Sequence, residues 1–73
     1  MVAVLIAEND PMVRALVEMF VRQSGTYHVV AAICCEQLSP QVMLESGAQL
    51  VLFGTGGHGN MEWLKVQFPA VKL

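Results

Sequence analysis

Six consecutive apolar residues, Val2 to Ala7, precede the first charged side chain of this sequence. A run without alternation is typical of a strand buried on both faces, as in parallel sheets covered by helices. A helix-start signal follows, because Asp10 is a good N-cap and Pro11 suits the first helical position. These residues predict a buried strand that leads directly into a helix.

The first helix is predicted from about Pro11 to Gln23. Four apolar residues recur at the i, i+3, i+4 and i+7 positions and make one stripe, the usual contact surface of a helix with a core: Val13, Leu16, Val17 and Phe20. Glu18 and Arg22 are spaced for a favourable i, i+4 ion pair. Gly25 is predicted to cap the carboxyl end.

The same signals for a strand, a helix start and a helix end recur further along the chain. A second strand is predicted over Tyr27–Ile33, and Ser39-Pro40 opens a short helix to about Ser46, closed by Gly47. Its inward-facing residues are predicted to be Val42, Met43 and, as an open alternative, Leu38.

A third strand is predicted over Leu50–Phe53, followed by a glycine-rich loop over residues 54–60. Met61, Leu64 and Phe68 mark a third helix that Pro69 stops, and residues 71–73 fit the start of a fourth strand. The order β-α-β-α-β-α predicts an α/β fold with a parallel sheet, in a single domain over residues 1–73.

Composition indicates an association partner. The chain has 73 residues, of which 55% are hydrophobic and 14% charged, so a small domain would leave apolar surface uncovered. The net charge of −2, with four scattered basic residues, argues against nucleic-acid binding. No apolar run approaches the roughly 20 residues of a membrane span, and no signal peptide is evident, so the expected location is the cytosol.

Adjacent Cys34 and Cys35 are expected to be reduced thiols near a strand end, since a bond between neighbouring strand residues is strained. No cluster of cysteine or histidine has metal-ligand spacing, so neither a metal nor a cofactor is predicted. His28, on the second strand, is expected to be structural.

The segment Val4 to Arg14 resembles the first strand, acidic pair and Pro-x-x-Arg helix start of receiver domains in two-component response regulators. Tyr27–Val30, Leu50–Gly54, Met61–Leu64 and Phe68–Leu73 extend the similarity along the whole chain. The resemblance implies a flavodoxin-like, three-layer unit of strand order 2-1-3, truncated after the third βα unit.

The resemblance also implies an altered active site. Gly54 stands at the phospho-acceptor position, which requires a carboxylate, and Glu8, Asn9 and Asp10 form a degenerate acidic pocket. The family's later hydroxyl and lysine positions lie past residue 73. Phosphoryl transfer is therefore not expected, and no enzymatic activity is predicted.

Three hypotheses of function remain open. The first is a non-catalytic pseudo-receiver that dimerises and acts by protein–protein binding, antagonising a response regulator or another transcription factor, with a histidine kinase as a further candidate partner. The second is a remnant with a structural or assembly role only. The third is an enzyme using the glycine-rich loop and His58, although the loop lacks the lysine of a P-loop.

An uncovered sheet edge is the expected binding surface, because a buried, apolar strand left without its neighbour is a template for pairing. The sheet would then be completed across a two-fold axis in a dimer. Six residues at or near this edge are predicted to form the interface: Leu50, Leu52, Phe53, Trp63, Val71 and Leu73.

Overall fold

A computed structural model of the chain describes residues 1–54, 59 and 61–72. The predicted elements are all present: β1 (Val2–Ala7), α1 (Pro11–Gln23), β2 (Tyr27–Ile33), α2 (Pro40–Ser46), β3 (Leu50–Phe53) and α3 (Met61–Gln67). A short 3-10 turn over Cys35–Gln37, which was not predicted, connects β2 to α2.

The three strands form one parallel sheet in the order β2-β1-β3, which confirms the α/β prediction and is compatible with a flavodoxin-like unit. Past α3 the chain returns to the outer edge of β3. Lys72 forms a parallel bridge with Leu50, its carbonyl accepts from the Val51 amide at 2.8 Å, and its amide donates to the Gln49 carbonyl at 3.0 Å. Lys72 thus lies where a fourth strand was expected.

Apolar clusters cover both faces of the sheet, and β1 contributes to each in alternation. Val4, Ile6 and Val29 form the cluster on the α1 side. The opposite cluster, beneath α2 and α3, contains Leu5, Ala7, Cys35, Leu38, Met43, Ala48, Val51 and Leu64. The result is a three-layer arrangement with β1 buried at its centre, as the uninterrupted apolar run predicted.

The predicted contact stripe of α1 is wrong for three of its four residues. Val17 packs on the core, together with Val21 one turn later, but Val13, Leu16 and Phe20 are exposed. The reason is geometric: α1 packs over β2 and β1, and only a narrow sector of its surface reaches the sheet.

Capping follows the sequence signals. The Asp10 carboxylate accepts from the amides of Met12 and Val13, and Gly25 and Gly47 adopt left-handed φ values of 74° and 67° just past α1 and α2.

Within the described residues, no helix combines the length and apolar character needed to cross a bilayer.

Candidate functional site

The carboxyl ends of β1 and β3 meet at one edge of the sheet, where ligand sites of parallel α/β folds lie. Glu8 follows β1 and Gly54 follows β3, and the Gly54 amide donates to the Ala7 carbonyl at 2.9 Å. Because β1 and β3 are hydrogen-bonded neighbours, Glu8 and Gly54 are brought side by side.

The Glu8 carboxylate occupies the space in which a side chain at residue 54 would begin. A Cβ atom added to Gly54 would lie 2.5 Å from both carboxylate oxygens of Glu8, well inside van der Waals contact. The Glu8 side chain is buried, with only 3% of its surface exposed, and its Oε2 atom has no hydrogen-bond partner. Residue 54 therefore has no side chain at the position expected for the acceptor, and the Glu8 carboxylate occupies that space.

Asn9 and Asp10 do not join Glu8 in a common pocket. Asn9 is exposed, and its Oδ1 atom accepts from the Cys35 amide at 2.8 Å, which ties the β1–α1 loop to the turn after β2. Asp10 Oδ1 accepts from the Met12 amide at 2.9 Å and the Val13 amide at 3.2 Å. Each side chain thus has its own structural contact.

This donor set is a poor match to a divalent-cation site. Mg²⁺ prefers several oxygen ligands in octahedral geometry, and phosphoryl transfer requires in addition a nucleophilic oxygen. Among residues 1–54, 59 and 61–72, no group of three or more histidine, cysteine, aspartate or glutamate side chains is placed to hold a metal. Gly54 supplies no nucleophile.

Arg14, the arginine of the Pro-x-x-Arg helix start, has a structural role that the sequence did not predict. Its Nη1 atom donates to the Glu8 carbonyl at 2.9 Å and to Cys34 Sγ at 3.1 Å. The guanidinium therefore links α1 to the loops that follow β1 and β2. The available signal was its place on α1, in line with Glu18 and Arg22 at i+4 and i+8 on the charged side of the helix.

The two cysteines are free thiols with different surroundings. Cys34 is partly exposed beside Arg14, whereas Cys35 is buried and its Sγ–H donates to the Ala7 carbonyl at 3.3 Å. Burial, and then the negative charge of Glu8, raise the pKa of the Cys35 thiol. Cys35 is thus held as a neutral core residue behind the Glu8–Gly54 contact.

The residues expected to form one interface lie on two opposite faces of the sheet. Leu50 and Leu52 pack against the α1-side cluster, whereas Phe53, Trp63 and Val71 pack against the cluster beneath α2 and α3. Trp63 also meets Phe68 edge to face, with ring centroids 6.3 Å apart.

Some predicted features fall outside the described residues. These are residues 55–58 and 60 of the glycine-rich loop, with His58, and Leu73. His28 is described, and its side chain is exposed on β2.

Searches against protein-family models, curated proteins and solved structures found no match to this chain. The similarity to receiver domains accordingly remains a hypothesis drawn from the residues themselves.

Proposed function

We propose that this chain is a non-catalytic, receiver-like regulator that acts in the cytosol by binding protein and not by transferring phosphoryl groups. The observation that carries the proposal is the contact between Glu8 and Gly54. At the sheet edge where a receiver would hold its acceptor carboxylate, residue 54 has no side chain and the Glu8 carboxylate occupies the space.

The neighbouring residues support the same proposal. Asn9 accepts a hydrogen bond from the Cys35 amide and Asp10 caps α1. Both residues that follow Glu8 therefore have structural roles. What the described surface offers instead is apolar area: nine large hydrophobic side chains are exposed, five of them on α1. Uncovered apolar surface of this kind marks protein–protein contacts. The proposed partners are a second copy, a response regulator, a histidine kinase or a transcription factor.

Incubation with acetyl phosphate and Mg²⁺, followed by intact-mass analysis, tests the non-catalytic part. We expect no phosphoryl adduct on the natural chain. The matched control is Glu8→Ala with Gly54→Asp, which supplies an acceptor carboxylate and vacates the space for it. A stable acyl phosphate on the natural chain would overturn the proposal, and Glu8→Ala alone would reveal whether Glu8 carries it.

Binding of the purified chain to itself and to purified response regulators, kinases and transcription factors, measured by calorimetry, tests the second part. We expect a saturable interaction with at least one of them. A chain that binds none of these proteins, itself included, would instead favour a purely structural role.

A further inference from the structure

Helix α1 has far more apolar surface than the sheet covers. None of its residues is buried, although seven of its thirteen are valine, leucine, methionine or phenylalanine. Two of these, Val17 and Val21, pack on the α1-side cluster. The other five form the surface that we call the outer face of α1, with exposures from 40% to 73%: Met12, Val13, Leu16, Met19 and Phe20.

The outer face is one continuous strip. With 3.6 residues per turn, its five residues fall within a sector of roughly 120° that adjoins the sector of Val17 and Val21. The charged residues Arg14, Glu18 and Arg22 follow one another at i+4 on the remaining side, and Arg22 pairs with Glu18 at 2.7 Å. No charged side chain interrupts the outer face, which suits an apolar partner.

A second uncovered apolar surface lies beside α1 on the sheet. Leu50 and Leu52 are in register with Val4 and Ile6, so they point to the same side as α1. Both are only partly buried, because α1 packs over β2 and β1 and leaves the face of β3 open. Here a cavity of about 200 Å³ is lined by Val4, Val21, Tyr27, Leu50 and Leu52. We call this surface the β3 groove.

Helix α1 borders the β3 groove, because its Val21 lines the cavity. Arg14, on the charged side of α1, reaches Cys34 after β2, which turns that side of the helix toward β2. Val13 and Phe20, on the other flank, are therefore turned toward β3. The side of α1 and the exposed face of β3 together form a concave apolar surface that fits an apolar helix.

The chain itself supplies such a helix. The five large side chains of the outer face are 40% to 73% exposed, and Leu50 and Leu52 of the β3 groove are partly exposed, so the two surfaces supply the apolar centre that a protein interface requires. In a two-fold dimer both surfaces of each copy are used at once, because the same patch meets itself. The outer edge of β3 is a poorer choice, since Lys72 already pairs with it over Gln49 to Val51.

We propose that two copies of this chain associate across a two-fold axis, with the outer face of each α1 packed over the β3 groove of the other copy. This inference rests on the proposed function for the idea that the chain acts by protein binding, and it names the surface and the partner. Methionine at two of the five outer-face positions suits such a contact, because its flexible thioether adapts to a neighbouring surface.

Sedimentation velocity on the full chain at micromolar concentrations tests the proposal, with Met12→Glu and Phe20→Glu as the interface variants. Leu44→Glu is the matched control, because Leu44 is as exposed as Met12, at 73%, but lies on α2 across the sheet. We expect a dimer for the natural chain and for Leu44→Glu, and at least a tenfold weaker association for both interface variants. Met12 makes little contact with the fold, so its variant remains informative if Phe20→Glu unfolds.

A monomeric natural chain, even one whose outer face binds a different protein, would overturn the inference. So would a dimer that Met12→Glu leaves intact, or one that Leu44→Glu disrupts equally. The acetyl phosphate experiment separates these outcomes from failure of the proposed function. A dimer that becomes phosphorylated would refute only the proposed function. A monomer that is not phosphorylated would refute only the proposed dimer.

Discussion

The carboxylate of Glu8 lies against Gly54 at the point where any side chain of residue 54 would begin, with 2.5 Å between its oxygens and an ideal Cβ. Among the described glycines, Gly25 and Gly47 have φ in the left-handed region, whereas Gly54 does not. The requirement for glycine at residue 54 therefore comes from the neighbouring side chain and not from the backbone.

Gly54→Ala is expected to lower the free energy of unfolding by about 1–3 kcal/mol, because the new methyl group displaces a packed side chain. Glu8→Ala in the same chain vacates that space, so the double variant should lose less than the sum of the two single changes. Urea unfolding monitored by circular dichroism measures all three. Gly59→Ala is the control, since a Cβ there meets no atom within 4 Å; strict additivity of the pair would contradict the contact.

Glu8→Gln is expected to raise the free energy of unfolding by about 1 kcal/mol, because a buried carboxylate with an unpartnered oxygen is more costly to desolvate than an amide of the same shape. Thermal and urea unfolding give the comparison. Glu45→Gln, at an exposed position of α2, should leave stability nearly unchanged. A loss of stability in Glu8→Gln would indicate that the negative charge has a favourable partner.

Asn9→Ala is expected to lower the free energy of unfolding by about 1 kcal/mol, because the part-buried Cys35 amide loses its acceptor. Asn9→Asp keeps an acceptor oxygen at this place and should lose less. Equal losses in the two variants would mean that the hydrogen bond to Cys35 is not the source of the effect. Gln41→Ala, at an exposed position of α2, serves as the reference in the same unfolding assay.

Stability is expected to fall as the pH rises past about 9, the ordinary pKa of a cysteine thiol, because the pKa of Cys35 is raised in the folded chain. Below that pH the Cys35 thiol keeps its proton in both the folded and the unfolded chain. Above it the unfolded chain releases the proton first, and stability continues to fall until the pH passes the pKa of Cys35 in the folded chain. Unfolding measured between neutral and alkaline pH should therefore show a steeper decline for the natural chain than for Cys35→Ala. Cys34→Ala should retain the decline, and identical curves for the natural chain and Cys35→Ala would contradict the prediction.

Local signals were sufficient for the elements of the fold. The uninterrupted run Val2–Ala7, the Asp10-Pro11 and Ser39-Pro40 caps and the glycines after α1 and α2 predicted strands and helices that the structure contains. The i+3 spacing of Leu64 placed it in the core, where it is fully buried. These features depend on neighbours within one turn or one strand, so the sequence carries them directly.

The α1 surface shows where periodicity alone was insufficient. The spacing of Val13, Leu16, Val17 and Phe20 identifies an apolar stripe, but Met12, Met19 and Val21 widen that stripe beyond what one contact can cover. Which part meets the sheet depends on the position of α1 over β2 and β1, a tertiary quantity. The division of the predicted interface residues between two faces has the same origin, because successive strand residues alternate in direction.

Taken by itself, the sequence determined a parallel α/β chain whose residue 54 offers no nucleophile, because these follow from residue type and local pattern. Only the tertiary structure decided that Glu8 fills the space above Gly54, that Asn9 accepts from the Cys35 amide, and that α1 leaves Leu50 and Leu52 of β3 partly exposed. Glu8 and Gly54 are 46 positions apart in the chain, Asn9 and Cys35 are 26 apart, and Val21 and Leu50 are 29 apart. Distances of that kind are set by how strands and helices pack, and no local pattern encodes them.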